Sequence, residues 1–146
     1  MALEDGIDIE SLMSALDDDD NASLMKLDTR AVKTVKNDML QKLNLSREQL
    51  KKLHKQLEEY RYVDEMNELK YGAYIRWIPL RDPNKIKLTN GGIICDILVK
   101  DNGIHVVCRN NMHRMFQIKL VECMVFQKLS DQERVLLCVM DYLNTS

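Results

Sequence analysis

Cysteine and histidine side chains lie close together in one stretch of this sequence, and these residue types can carry out nucleophilic catalysis or bind zinc. The residues concerned are Cys95, His105, Cys108 and His113. Cys108 and His113 have a C-x4-H spacing, but a zinc site needs more than these two ligands. The remaining cysteines, Cys123 and Cys138, lie in apolar runs, and no C-x2-C pair is present. We therefore expect four buried, reduced thiols, with no metal ligand and no cofactor.

The dipeptide Asn102-Gly103 predicts the register of a β-hairpin, because a type I′ turn needs positive φ at both loop positions. With these two residues as the loop, Ile97 faces Cys108 and Asp96 faces Arg109. Cys95 then shares the core face with Cys108, while His105 lies on the opposite face. Side chains alternate along a strand, so this register excludes a Cys/His nucleophile pair within it.

Motifs of the common enzyme classes are absent from the sequence. It contains no G-x-G-x-x-G, no phosphate loop and no nucleophile elbow. Carboxylates near the predicted strands are few, and no two of them form an evident acid–base pair. We therefore expect a protein that is not an enzyme and that has no catalytic residue.

Charge is distributed unevenly along the chain. Residues 1–20 contain eight acidic and no basic residues, whereas residues 70–128 contain ten basic and four acidic ones. Such a basic segment favours an anionic ligand, with the acidic arm as a competitor. The candidate anion or nucleic-acid surface consists of Lys100, His105, Arg109, Arg114 and Lys119. Basic and aromatic residues do not alternate along any predicted strand, so nucleic-acid binding is the alternative hypothesis.

The N-terminal residues 1–27 have the composition of an acidic, mobile arm. Within them the sequence "DIESLMSAL" repeats apolar residues at helical spacing, next to the acidic block Asp17–Asp20. Many short docking peptides combine an apolar helical stripe with flanking charge. Ile9, Leu12, Met13 and Leu16 are therefore candidate partner-docking residues.

Residues 28–69 are predicted to form a helical hairpin. Asp28 is the expected N-cap of its first helix, and Ser46 with Gln49 forms a capping box for the second. The second helix has one narrow apolar seam, and three of its residues complete the candidate docking set: Leu50, Leu53 and Leu57. This seam would pack against the first helix, against a partner or against a second copy of the chain.

Residues 70–146 change to a strand-rich pattern and end in a helix. Five apolar runs are separated by turn signals, among them "AYIRWIPL" and "IICDILV". Ser130 and Glu133 then form a capping box before a helix with a wide apolar face. The sequence predicts an α+β protein: a five-stranded antiparallel SH3-like barrel with an N-terminal helical hairpin and a C-terminal capping helix.

Two resemblances extend this interpretation. The strand rhythm of residues 73–129 resembles that of small SH3-like and Sm-like barrels, but the Asp and Asn placement of Sm-type RNA-binding loops is not reproduced. Residues 60–143, with "LKYGAYIRWIPL", "KIKLTNGGIICDI" and "FQKLSDQE", resemble small uncharacterised proteins of nucleocytoplasmic large DNA viruses. That resemblance implies a viral source and a cytoplasmic or virion setting, and it implies no mechanism.

The function predicted from the sequence is a protein–protein interaction or an assembly role. The apolar stripes outside the strands favour protein partners and leave self-association open, while nucleic acid is the alternative ligand. The start of the chain is acidic and unlike a targeting peptide. Its apolar runs are too short to span a bilayer, so the sequence predicts an intracellular protein without a membrane partner.

Overall fold

The computed structural model describes residues 28–145, and these residues form three helices and six strands. The helices are α1 (Thr29–Gln41), α2 (Arg47–Gln56) and α3 (Asp131–Thr145). The strands are β1 (Tyr60–Val63), β2 (Tyr74–Pro79), β3 (Gly92–Lys100), β4 (Gly103–Arg109), β5 (Met115–Lys119) and β6 (Cys123–Lys128). The predicted arm, residues 1–27, lies outside the described residues.

The helix starts follow the capping signals in the sequence. Ser46 and Gln49 form the predicted capping box at the start of α2. At the start of α3, the amide of Ser130 donates to Glu133 Oε1 at 3.0 Å and the amide of Glu133 donates to Ser130 Oγ at 3.1 Å. The Asp28 carboxylate accepts a first-turn amide of α1 at 2.7 Å. All three predicted helix starts are confirmed. A cap depends only on neighbouring residues, so the sequence alone is enough to locate it.

The described residues divide into two compact units, and the smaller one contains residues 28–35 and 129–145. Its core is a small cluster of Val32, Leu137 and the partly buried Leu129. The amide of Thr29 and its hydroxyl donate to the two carboxylate oxygens of Asp141, at 2.8 and 2.5 Å. These bonds connect the first turn of α1 to the last turns of α3.

The larger unit, residues 36–128, contains the whole sheet. Its strand order is β1-β6-β2-β3-β4-β5, and all neighbouring strands are antiparallel. Within residues 28–145, β1 and β5 lie at opposite edges and do not pair with each other, so the sheet is open. The predicted closed barrel of five strands is therefore wrong, although the α+β class agrees with the structure.

The sixth strand is one that the sequence pattern assigns to a helix. α2 ends at Gln56, and β1 follows as "YRYV". Tyr62 packs edge-on against Phe126 of β6 with ring centroids 5.8 Å apart. Lys36 connects the end of α2 to the start of β1, because its Nζ donates to Leu57 O at 2.8 Å and to Tyr60 O at 3.0 Å. The prediction that the hairpin's second helix continues toward residue 69 is therefore wrong.

The sheet has an apolar cluster on each face. On the inner face, buried side chains from β2, β3, β4 and β6 meet Leu69 and Leu120. On the outer face, Leu40 of α1, Leu53 of α2 and Leu57, the residue that caps α2, pack on the strands β2 and β6. The buried members of this outer cluster include none from β3, β4 or β5. The helices therefore cover one half of the outer face within the larger unit, and the half formed by β3, β4 and β5 is the open outer face.

The β3–β4 hairpin forms in a different register from the predicted one. Lys100 pairs with Gly103, so Asp101 and Asn102 are the loop residues. Of the dipeptide Asn102-Gly103, only Gly103 has positive φ, at 123°. A type I′ turn needs positive φ at both positions, so the predicted turn does not form. Ile97 consequently pairs with Val106.

A β-bulge between Ile94 and Asp96 shifts the register a second time. Ile94 pairs with Cys108, and Asp96 pairs with Val107. The predicted Asp96–Arg109 pair is therefore wrong. Cys95 is the extra residue of the bulge, so it has no partner in the ladder. Its side chain is exposed.

Candidate functional site

The predicted docking seam of α2 is part of the core. Leu57 is fully buried and Leu53 is 8% exposed. Leu50 packs at the margin of the same cluster and is half-buried. Leu53 and Leu57 are therefore not available to a partner, because the seam is used to attach α2 to the sheet. The other docking candidates, Ile9, Leu12, Met13 and Leu16, lie outside the described residues.

The predicted anion surface lies on the open outer face, where directly opposed residues point to the same side. His105 is opposite Leu98 and Lys119, so these three side chains share the face. Lys100 and Arg109 lie on the same side of their strands by the two-residue alternation. Arg114 is outside the strands, in the turn before β5.

These five residues form two groups and not one patch. Lys100, His105 and Lys119 lie at the end of the sheet next to the β3–β4 loop. Arg109 is four residues further along β4, which is about 13 Å at the rise of a strand, and Arg114 is near it. Between the groups the face carries Val107, Gln117 and the carboxylate of Asp96.

His105 is held by hydrogen bonds to side chains on both sides. Its Nε2 is 2.9 Å from Asn102 Oδ1, and its Nδ1 is 3.0 Å from Gln117 Nε2. The amide nitrogen of Gln117 donates, so Nδ1 accepts and Nε2 carries the proton that goes to Asn102. Within the described residues, these contacts give His105 a fixed position without a carboxylate partner.

At the Arg109 end, the sheet register assembles a row of side chains across five strands. Opposite pairs join Tyr74 to Ile93, Ile93 to Arg109, and Arg109 to Met115. Lys128 is one residue beyond the pair Ile75–Gln127 and so lies beside Tyr74. We call Lys128, Tyr74, Ile93, Arg109 and Met115 the cross-sheet row. All five lie on the outer face, and one aromatic and one apolar side chain separate the two cationic ones.

The surroundings of the row are also rich in cationic and aromatic groups. Tyr60 is opposite Lys128, and burial raises the pKa of its hydroxyl while the nearby Arg76 guanidinium opposes that rise. Arg76 lies on the same face and donates through Nε to Thr89 O at 2.9 Å. The nearest acid to Lys128 is Glu59, at 3.9 Å with both side chains about half exposed. An exposed pair of this length contributes little to stability, so Lys128 remains accessible to another anion.

The basic and aromatic members of the row lie on three different strands, β6, β2 and β4. No run along one strand contains them, which is why the sequence pattern did not reveal the row. The row could have been located from the alternation of side chains along each strand together with the strand order. The strand order, however, was not predictable without β1.

No family model, curated protein or solved structure matches this chain.

The cysteines provide no evident reactive pair. Cys108 is fully buried, and burial raises the pKa of its thiol to about 12, with Cys95 adding to the rise. Burial likewise raises the pKa of Cys123 to about 11, helped by the nearby Glu122. Cys95 and Cys138 are exposed, so the prediction of four buried thiols is wrong for these two. The predicted separation of His105 from Cys108 is confirmed, since they lie on opposite faces of β4.

Thiol labelling should separate the cysteines by position. With iodoacetamide at neutral pH, Cys95 and Cys138 should be alkylated first, while Cys108 should stay unmodified because it is buried and its raised pKa keeps it protonated. Mass spectrometry of peptides over time measures this order. In urea all four should react at similar rates, and a folded-state rate for Cys108 equal to that of Cys95 would contradict the prediction.

Among residues 28–145, no three side chains of the types His, Cys, Asp and Glu are grouped to hold a metal ion. None of the helices described has both the length and the apolar character needed to cross a bilayer.

One groove is formed within the larger unit, between α2 and the segment that precedes β3. Leu53, Ile86 and Leu88 form its apolar floor, and Gln49, Lys52, Gln56 and Lys87 line its rim. Its volume is about 200 Å³. Pockets for cofactors and other small molecules are usually larger, at about 300–1,000 Å³, so this α2 groove is suited to a few side chains rather than a whole cofactor.

Proposed function

We propose that residues 36–128 form a non-enzymatic module that binds single-stranded nucleic acid on the outer face of the sheet. The observation that carries this proposal is the cross-sheet row, in which Lys128 and Arg109 flank Tyr74 and Ile93 and which continues from β6 and β2 onto the open outer face. Non-specific binders of single strands combine cations for the phosphates with aromatic faces for the bases.

The row has a suitable length for a short stretch of single strand. Three interstrand spacings separate Lys128 on β6 from Arg109 on β4, which is about 14 Å. Arg114 lies beyond Arg109 in a turn that the Asn110 carboxamide stabilises by accepting the amides of Met112 and Arg114, at 3.0 and 2.9 Å. The backbone of Arg114, from which the guanidinium group extends, is therefore held in place at the end of the row.

The charge of the larger unit supports an anionic ligand. Residues 36–128 contain seventeen basic and eleven acidic residues, and residues 1–27 contain eight acidic residues and one basic residue. A single strand and the acidic arm would both be attracted to the same unit. Neutralising the arm by Asp→Asn changes at Asp17–Asp20 should therefore strengthen nucleic-acid binding.

Fluorescence anisotropy with a labelled oligothymidylate tests the proposal on the full chain. Binding should weaken with salt, with a slope of log affinity against log salt of about −2 if three cations contact phosphates. Arg109→Glu should weaken binding at least about tenfold, the loss expected for one charge-assisted contact. Tyr74→Ala should weaken it by a similar factor while Tyr74→Phe retains it, because stacking needs the ring and not the hydroxyl.

Arg47→Glu is the matched control. Arg47 is exposed at the start of α2 and its replacement changes the net charge by the same amount as Arg109→Glu. Equal loss in both variants would mean diffuse attraction and would overturn the proposed site. Absence of binding at low salt, both in the natural chain and in the chain with Asp17–Asp20 neutralised, would overturn the function itself.

A protein–protein or assembly role, in a virion as the resemblance implies, is the second candidate. It is favoured by β5, an edge strand of the sheet that residues 28–145 form, where Phe116 is 44% exposed. Met112 in the preceding turn is 70% exposed. Exposed apolar side chains beside an unpaired strand edge are suited to a protein partner. The absence of oligonucleotide binding in both chains above would favour this candidate.

A further inference from the structure

The α2 groove combines an apolar floor with cationic and amide groups on its rim. Leu53 and Leu88 are each 8% exposed, and Ile86 is half-buried beside them. Two exposed lysines, Lys52 and Lys87, stand on opposite sides of the groove. A ligand for this groove would have apolar side chains for the floor and carboxylates for the rim.

The lining of the groove has a net positive charge. Its charged members are Lys52 and Lys87, and none of its lining residues is a carboxylate. Two lysines without a carboxylate among the lining residues make the groove attractive to an acidic peptide.

The chain itself contains a segment of this chemistry. In residues 8–20, "DIESLMSALDDDD", the apolar residues Ile9, Leu12, Met13 and Leu16 have the spacing i, i+3, i+4 and i+7. This is the spacing of the anchors with which an amphipathic helix binds an apolar groove. The same thirteen residues contain six carboxylates and no basic residue.

We propose that residues 8–20 of this chain dock into the α2 groove of the same molecule. The apolar stripe binds over Leu53, Ile86 and Leu88, and the carboxylates of Asp17–Asp20 lie beside the lysines of the rim. The groove holds only a few side chains, which agrees with a peptide that inserts two or three anchors. The docking site is separate from the cross-sheet row, so this inference does not depend on nucleic-acid binding.

Carbodiimide cross-linking of the full chain tests the docking, because the reagent couples a carboxylate to a lysine amine only when the two are in contact. The monomeric fraction is digested and its cross-linked peptides are quantified by mass spectrometry. Links from residues 8–20 should be concentrated on Lys52 and Lys87. Leu12→Asp should reduce their yield about tenfold, the change expected when one buried leucine anchor is lost.

Ser11→Asp is the matched control, because it adds the same charge on the side of the helical period opposite the apolar stripe. It should leave the links unchanged. Amide shifts of Gln49, Lys52 and Lys87 provide a second readout, and they should change with Leu12→Asp and not with Ser11→Asp.

Links spread evenly over exposed lysines such as Lys100 and Lys128, and insensitive to Leu12→Asp, would overturn the proposal. Links found only in a dimeric fraction would also overturn it, since they would assign the segment to a second copy.

Discussion

Replacing Gly91 with alanine should unfold the larger unit or destabilise it by at least about 4 kcal/mol. A Cβ at Gly91 would lie 2.0 Å from Ile75 O and 2.9 Å from Arg76 Cγ, and the residue has φ of +85°. The obstructing atom is a backbone oxygen of β2, so it cannot rotate away as a side chain would. Relief would require β2 and β3 to separate where Ile75 pairs with Gly92.

Gly72→Ala is the matched control, because Gly72 has nearly the same backbone conformation. Its φ is +82°, yet no atom lies within 4 Å of its added Cβ. It should cost about 1–2 kcal/mol, the strain of the left-handed region alone. Urea unfolding followed by circular dichroism measures both variants, and similar losses for the two would show that the contact with Ile75 is not the cause.

The conformation at Gly91 also affects the candidate site. The chain enters β3 at this residue, and the pairing of Tyr74 with Ile93 follows directly after it. A shift of β3 by one residue would move Ile93 to the other face and separate Tyr74 from Arg109. The cross-sheet row therefore depends on a glycine that has no side chain and takes no part in binding.

Sequence patterns predicted the features that depend on neighbouring residues. The boxes at Ser46 and Ser130 were found because the interacting groups are three residues apart. The α+β class followed from apolar periodicity. β1 was missed because its four residues lie next to the charged α2, and because its pairing partner β6 is more than sixty positions away in sequence. Without this edge strand, the remaining five strands were interpreted as a closed barrel.

The hairpin register failed for a different physical reason. Asn102-Gly103 is a strong turn signal, but Asp101-Asn102 followed by a positive-φ glycine is an alternative that uses the same residues. The bulge at Cys95 then moved the register again, so Arg109 is opposite Ile93 and not Asp96. This freed Arg109 from its predicted carboxylate partner and placed it in the row.

The buried ion pair of Arg61 and Glu68 should be the most sensitive charged contact of the larger unit. Arg61 Nη1 donates to Glu68 Oε2 at 2.8 Å, with the two side chains 3% and 17% exposed. The fully buried Gln127 donates to Glu68 O at 3.0 Å and accepts the amide of Lys70 at 3.0 Å. These bonds attach the segment between β1 and β2 to the inner face of the sheet.

Arg61→Met should destabilise the unit by about 3–5 kcal/mol, because it leaves the Glu68 carboxylate without its buried partner. The double variant Arg61→Met, Glu68→Met should recover part of that loss, since removing both charges also removes the desolvation cost of Glu68. Glu59→Gln at the exposed 3.9 Å pair with Lys128 is the control and should change stability by less than about 1 kcal/mol. Urea unfolding of the natural chain, Arg61→Met, Glu68→Met, the double variant and Glu59→Gln decides the matter: single-variant losses that simply add in the double variant would show that Arg61 acts through packing alone. A coupling energy of the predicted sign would identify a buried charge pair that holds β1 to the sheet. The same pair would then keep the Tyr60 side chain of β1 beside Lys128.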